Sequence, residues 1–298
     1  MPELPEVEVV RSGLEPAVAG ASVTRVEVLD ERSLRRHVGP SEDFIQRLTG
    51  AVLTAPERRG KFLWIPLAER TGRDAPEAVV VHLGMSGQVL LREHAAPRNR
   101  LTRVVLEIEH PEHGPLRVDF VDQRIFGSMA LDQLVATRDH PAQLVPSQVA
   151  HIARDPLDPR FDDRAFLRAL GRKQTTIKRA LLDQTLISGI GNIYADESLW
   201  AARVHYDQPT ATLSRARATT LLAEVRLVLA RALAEGGTSF DAQYVNVNGA
   251  SGYFSHSLNA YGQQGEPCPR CGRPIVRESF MNRGSHFCAF CQRIRASR

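Results

Sequence analysis

The sequence predicts a multidomain α+β protein: an N-terminal helix with an antiparallel β-sandwich, then a helical domain, then a small module that carries the cysteines. Three observations support this prediction. Short runs rich in β-branched and aromatic residues fill the first half, apolar residues recur at helical spacing in the second half, and all four cysteines lie within 268–291. A chain of 298 residues is long enough for two domains that each bury a core.

The elements follow in a simple order. A helix is predicted from Glu6 to Val18, and Pro2 suits the start of such a helix. Six strands come next, in the runs SVTRVEVLD, KFLWIPL, AVVVHL, GQVLLR, RVVLEIE and LRVDFVD. Helical spacing begins with FDDRAFLRALGRKQTTIKRALLDQ and returns in SRARATTLLAEVRLVLARALAEG, where Gly236 and Gly237 end the helix. We expect five segments: a sandwich domain (1–145), a linker rich in proline and aspartate (146–160), a helical domain (161–237), a loop region (238–265) and the cysteine module with a basic tail (266–298).

The charge is unevenly distributed. Seven arginines and two glutamates lie between Glu266 and Arg298, whereas the rest of a chain of net charge +4 is close to neutral. A basic module on a near-neutral body indicates binding to nucleic acid or another polyanion. No run approaches the roughly 20 apolar residues that cross a bilayer, and the charged start of the chain is unlike a signal peptide. We therefore expect a cytosolic protein with no membrane partner.

The spacing of the cysteines predicts a metal site. Cys268 and Cys271 form one CxxC pair, and Cys288 and Cys291 form a second. Two such turns across a β-hairpin place four thiolates in a closed tetrahedral site, which suits one structural Zn²⁺; an iron–sulfur or rubredoxin-like iron site is the alternative. Arg283 lies between the pairs, where a ribbon would present it to a phosphate.

Six motifs occur together along the chain: PELPEVE from Pro2, then ERRGKF, HLGMSG, DQRIFG, LISGIGNIYADESLW and GYFSHSLNAYGQQGEPC. In these motifs, and in their order, the chain resembles the bacterial formamidopyrimidine-DNA glycosylases over essentially its full length. The resemblance implies that 1–145 is the catalytic domain and that 161–237 is a DNA-binding domain with a helix–two-turn–helix element. It also implies a lesion-recognition loop within 238–265 and a zinc ribbon in 266–298.

The implied activity is that of a base-excision repair enzyme. Such a bifunctional DNA glycosylase and AP lyase removes oxidised purines, 8-oxoguanine and formamidopyrimidines, from duplex DNA. Removal of Met1 would leave Pro2 as a secondary amine that titrates near pH 8, and this amine would form a Schiff base at C1′ before β,δ-elimination. The implied partner is double-stranded DNA with oxidised bases or abasic sites, bound by a monomer in the bacterial cytoplasm and on the nucleoid.

The resemblance implies catalytic roles for three further residues. Glu3 would assist sugar-ring opening and proton transfer, Lys61 would act near the lesion phosphate in β-elimination, and Arg283 would bind phosphate and serve δ-elimination. Taken alone, Glu3 is also explained as a first-turn glutamate that stabilises the dipole of its own helix. Lys61 and Arg283 are also explained as solvated surface charges.

Other residues resemble the family's DNA contacts. Met85, Arg124 and Phe126 correspond to a wedge that fills the space of a flipped base; core packing is the alternative for the Met and the Phe. Asn192 and Lys173 correspond to contacts with the DNA backbone, and a helix-surface lysine is the alternative for Lys173.

The sequence departs from the family pattern in two places. A phosphate-contacting histidine expected before RVVLEIE is not evident, and Arg100 or Arg103 in PRNRLTR is the candidate substitute. The loop NGASGYF lacks the basic residue that some relatives carry near its start. Two other functions stay open: an endonuclease VIII-like glycosylase for oxidised pyrimidines, and a zinc-ribbon DNA-binding protein without catalysis, which would also explain the cysteines and the basic charge.

Overall fold

The structure, a computed structural model, describes residues 2–69, 75–238, 247 and 254–295. They belong to two compact units, each with its own hydrophobic core. The first contains Pro2, Glu6–His151, Thr238 and Val247, and the second contains Glu3–Pro5, Ile152–Gly237 and 254–295. Most of the predicted recognition loop, the end of the basic tail and part of the predicted loop ERTGRDAPEA lie outside the described residues. Within the described part of the chain, no helix has the length and apolarity that a membrane span requires.

The first unit is a sandwich of two antiparallel sheets with two helices. Helix α1 is Leu4–Val18, of which this unit takes the part from Glu6, and α2 is Ser41–Leu48. One sheet has the strand order β1-β6-β7-β5 and the other β2-β3-β4-β8-β9. The strands are β1 (Ser22–Val28), β2 (Glu57–Arg59), β3 (Phe62–Pro66), β4 (Glu77–His82), β5 (Gly87–Glu93), β6 (Thr102–His110), β7 (Gly114–Asp122), β8 (Ser128–Ala136) and β9 (Leu144–Pro146).

One core unites both sheets and both helices. Leu14 of α1, Phe44 of α2, Val79 of β4 and Phe120 of β7 belong to it and are at most 1% exposed. The predicted sandwich and its six strands are confirmed. Strand β8 was not predicted because its sequence, SMALDQLVA, has a single β-branched residue. Its pairing with β4 decides its conformation.

The second unit begins with helices. They are α3 (Asp163–Arg172), α4 (Ile177–Leu182), α5 (Asn192–Ala201) and α6 (Arg215–Ala234). The first predicted helical stretch is divided in two, because residues 173–176 leave the helical conformation between α3 and α4. Asp162 caps α3 by accepting from the Ala165 N–H at 2.9 Å, and Gly236 and Gly237 follow α6 with φ of +75° and +81°.

A two-stranded hairpin completes this unit. Strands β10 (Val276–Phe280) and β11 (Arg283–Phe287) are antiparallel, with Arg277 opposite His286. The phenylalanines that end the two strands, Phe280 and Phe287, join the core of the helices. The hairpin predicted between the two cysteine pairs is thereby confirmed.

Candidate nucleic-acid interface and metal centre

A buried carboxylate joins two loops of the β-sandwich. Asp122 Oδ1 accepts from Ser86 Oγ at 2.6 Å and from the Arg124 N–H at 3.1 Å, and Oδ2 accepts from the Gly127 N–H at 2.7 Å. The aspartate has no exposed surface, so these bonds satisfy a charge that would otherwise be costly to bury. Because Ser86 follows β4 and the other two donors follow β7, one side chain fixes both loops.

These loops present the three residues that resemble a wedge. Met85 and Phe126 are 41% and 42% exposed, which excludes core packing as the reason for either. Arg124 is exposed, and its guanidinium carbon lies 4.8 Å from the centroid of the Phe126 ring. The structure therefore brings the three side chains onto one loop pair.

The backbones of the two loops touch at a glycine. Gly84 has φ of +63°, and a Cβ there would lie 2.3 Å from the Phe126 carbonyl carbon, so only glycine fits. Arg35 also donates to the carbonyls of Ile125, at 2.7 Å, and Phe126. Ile125 has φ of +56°, a costly conformation for a β-branched residue, which these bonds hold in place.

Lys61 directly precedes β3. Its charge acts, with those of Arg35 and Arg36, on His82, which was not among the predicted site residues. Burial above all, and then the charges of Arg36, Arg35 and Lys61, lower the pKa of His82 to about 4. His82 is therefore neutral at pH 7. Its Nδ1 accepts from the Gly84 N–H at 3.1 Å, which assigns the proton to Nε2. A neutral N–H donor among three cations suits an anionic ligand. The sequence signal that could have identified His82 was a histidine at the end of a buried strand.

Pro2 and Arg100 are the remaining predicted residues of this unit. Pro2 is buried and lies two residues before α1 begins. Arg100 is exposed in the turn before β6, whereas Arg103 donates to the Asp122 carbonyl at 2.8 Å. Of the two candidate substitutes, Arg100 and Arg103, Arg103 is committed to the fold.

In the second unit, Glu3 caps a helix other than its own. Its carboxylate accepts from the N–H groups of Gly191 at 2.5 Å, Ile193 at 2.9 Å and Tyr194 at 3.4 Å, at the N-terminus of α5. A Cβ on Gly191 would lie 2.4 Å from the Glu3 carboxyl carbon, so the glycine permits this approach. Glu3 is 2% exposed. It lies before α1 and its carboxylate caps α5, so it is not a glutamate in the first turn of its own helix.

A buried ion pair joins the helices to the hairpin. Lys178 of α4 has no exposed side-chain surface, and its Nζ lies 2.6 Å from Asp196 Oδ1 and donates to Ser285 Oγ at 2.7 Å and the Gly284 carbonyl at 3.2 Å. Asp196 Oδ2 accepts from the His286 N–H at 2.8 Å. Burial lowers the pKa of Lys178, and Asp196 opposes this effect. The pair, which the sequence analysis missed, fixes β11 against α4 and α5.

Asn192 and Arg283 lie at this junction. Asn192 begins α5, and its Nδ2 donates to the Gly284 carbonyl at 3.1 Å, while Arg283 precedes that glycine and is exposed. Lys173 is engaged elsewhere: it follows α3, and its Nζ lies 2.6 Å from Asp183 Oδ2. The exposed guanidinium of Arg283 is a donor suited to a phosphate, whereas the N–H groups at the start of α5 already donate to Glu3.

The four predicted ligands form one metal centre. The sulfur atoms of Cys268, Cys271, Cys288 and Cys291 all lie within 4.8 Å of one another. A tetrahedral Zn²⁺ with bonds of about 2.3 Å sets its sulfur atoms about 3.8 Å apart, which this cluster fits. A closed set of four thiolates fits one structural zinc ion, which confirms the predicted cofactor.

Comparisons with known proteins agree with this order of parts. The formamidopyrimidine-DNA glycosylase N-terminal domain matches residues 1–129, the H2TH domain of the same family matches 152–243, and the zinc finger found in FPG and IleRS matches 265–294. The fold and the metal centre therefore define a zinc-containing DNA glycosylase.

Similarity over the whole length specifies the family. The chain is 66% identical to the formamidopyrimidine-DNA glycosylase of Leifsonia xyli subsp. xyli, with 99% of this chain and 100% of the relative covered, and 56% identical to that of Streptomyces coelicolor, with 98% of each covered. A Lactococcus lactis Fpg complex with abasic-site DNA superimposes with a TM-score of 0.81 at 29% identity, covering 98% of this chain and 99% of that one. The chain belongs to the formamidopyrimidine-DNA glycosylase family, and the resemblance is confirmed.

Proposed function

We propose that the protein is a bifunctional DNA glycosylase and AP lyase that removes oxidised purines, 8-oxoguanine and formamidopyrimidines, from duplex DNA. The observation that carries this proposal is the full-length similarity to formamidopyrimidine-DNA glycosylases. A Lactococcus lactis Fpg variant has been crystallised with DNA that contains Fapy-dG, which supports this substrate class. Such a protein acts as a monomer in the bacterial cytoplasm, where the nucleoid lies.

The nitrogen of Pro2 is the proposed nucleophile once Met1 is removed. Its lone pair attacks C1′, the bond from C1′ to the base breaks, and the base leaves with a proton. Opening of the sugar ring passes a proton to O4′ and leaves an iminium ion between Pro2 and C1′. Loss of the 2′ proton then expels the 3′ phosphate, and a second elimination expels the 5′ phosphate.

Glu3, Lys61 and Arg283 are the proposed partners of these steps. Glu3 assists proton transfer to O4′, and its three N–H donors support the role because they hold the carboxylate in one orientation. Lys61 serves the proton transfer of β-elimination beside the lesion phosphate, supported by the positive charge around His82. Arg283 binds phosphate during δ-elimination, supported by its exposure at the start of β11.

The remaining residues are proposed to position the DNA. Met85, Arg124 and Phe126 enter the duplex where a base has been flipped out, a role supported by exposed apolar side chains on a rigid loop pair. Asn192 contacts the DNA backbone at the start of α5, and Lys173 and Arg100 contribute further charge for backbone contacts.

Borohydride trapping on lesion-containing duplexes tests the proposal. The protein should form a covalent adduct with 8-oxoguanine DNA that Pro2→Gly weakens or abolishes, and should process 8-oxoguanine opposite cytosine faster than thymine glycol. Faster excision of thymine glycol would indicate the endonuclease VIII-like activity instead. DNA binding without any adduct would indicate a binding protein without catalysis.

A further inference from the structure

Helix α1 carries a glycine that its own sequence does not explain. Glycine in a helix interior is less favourable than alanine, and Gly13 lies in the middle of Leu4–Val18. A Cβ at this position would lie 2.6 Å from Val247 Cγ2, closer than real Cβ contacts allow. The missing side chain therefore leaves a notch in the helix surface, and Val247 fills it.

Val247 is fixed in this notch from a second side. Its side chain is 1% exposed and belongs to the core of the sandwich unit. Its carbonyl oxygen accepts from the Leu91 N–H at 3.0 Å. Leu91 lies in β5, an edge strand of the four-stranded sheet, so this bond satisfies an N–H group on the open edge.

The same helix holds the chain again at Thr238, earlier in the sequence. Glu6 Oε1 accepts from the Thr238 N–H at 2.7 Å and from Thr238 Oγ1 at 2.8 Å. Glu6 and Gly13 are separated by two helical turns, which places them on one face of α1. One face of the helix that follows Pro2 thus provides two attachment points, at Thr238 and Val247, for the chain that follows α6.

We propose that Val247 is a positioning residue for base excision: seated between Gly13 and Leu91, it fixes where the chain that carries it attaches to the sandwich unit. This inference rests on the proposed function, since the damaged base is expected to be recognised by this part of the sequence. A fixed attachment reduces the conformational freedom that recognition must remove. A site that already lacks its base needs no such recognition.

The test separates the two chemical steps. Gly13→Ala and Val247→Ala are each compared with the unaltered protein in single-turnover excision of 8-oxoguanine and in cleavage of a preformed abasic site. Excision should slow on the order of 10-fold to 100-fold, while abasic-site cleavage stays within about twofold. The double variant should lose less than the product of the two single losses, because the valine methyl groups that would collide with the new Cβ are then absent.

Gly171→Ala is the matched control. Gly171 is also helical, in α3, but a Cβ there meets nothing within 4 Å, so both steps should be unchanged. Equal slowing of both steps, or no slowing in either single variant, would overturn the proposal. Failure of the unaltered protein to excise 8-oxoguanine would instead refute the proposed function. If Gly13→Ala does not fold, Val247→Ala still tests the proposal.

Discussion

The two units both use a buried aspartate to hold exposed residues that are proposed to contact DNA, but they surround it differently. In the sandwich, Asp122 accepts from backbone N–H groups and a hydroxyl. In the helical unit, Asp196 faces the buried ammonium of Lys178 and the backbone of His286. In the sandwich, neutral donors are enough to hold the two loops, because the strands that the loops follow are already fixed in the sheets. A charge pair and a metal act where a short hairpin must be fixed to helices.

Zinc removal is expected to have the largest effect, and it should act on only one of the two units. Cys288→Ser removes one of the four thiolate ligands and should abolish zinc binding. Structural zinc contributes about 10–16 kcal/mol to the folding of small domains, so the hairpin should be strongly destabilised. The amides of β10 and β11 should then exchange rapidly by mass spectrometry, and DNA affinity should fall on the order of 10–100-fold. Amides of the sandwich should be unaffected and serve as the internal control. A hairpin that stays protected without zinc would show that the Lys178 ion pair alone holds it.

The same substitution in both units should give unequal losses. Asp196→Asn leaves the Lys178 ammonium buried without its counter-charge, so we expect a loss of about 3–5 kcal/mol in the free energy of unfolding of the helical unit. Asp122→Asn keeps an acceptor for neutral donors, so about 1–3 kcal/mol is expected in the sandwich. Urea unfolding measures both values, with hydrogen exchange as the probe so that the two units are observed separately. Equal losses would mean that the charge of Lys178 does not distinguish the two sites.

The smallest expected effect is a pH dependence of the sandwich. The pKa of His82 is lowered from 6.5 to about 4, so the unfolded chain takes up a proton at a higher pH than the folded chain does. Stability from His82 is therefore complete well above pH 6.5 and is lost as the pH falls through 4; the loss reaches roughly 2 kcal/mol at about pH 5. His82→Asn keeps an acceptor near the Gly84 N–H but does not titrate, and it should flatten this slope in thermal unfolding across the same pH range. His151→Gln, at an exposed histidine, is the control that should leave the slope unchanged.

Much of the molecule could be predicted from local patterns. The six strands, the helix at the start of the chain and the metal ligands follow from alternation, helical spacing and the CxxC pairs, which act over a few residues. Strand β8 and helix α5 could not be predicted in this way. Their conformations depend on pairing with β4 and on burial among other helices.

The buried partners of the site were also beyond local patterns. Lys178 and Asp196 are 18 residues apart in the sequence, and Asp122 and Ser86 are 36 apart. Nothing in the residues near each of them indicates that a charged or polar group will be buried. The side chain that compensates the burial comes from a distant element, and only folding brings the two together.

The kinds of element, the metal ligands and the family could be predicted without a structure, because periodicity, short spacings and ordered motifs are properties of the linear chain. Only the folded chain shows that Glu3 caps α5, that Asp122 joins two loops and that Gly13 makes room for Val247. Each of these depends on atoms that are far apart along the chain, and a hydrogen bond or a steric notch exists only when packing sets the distance between them.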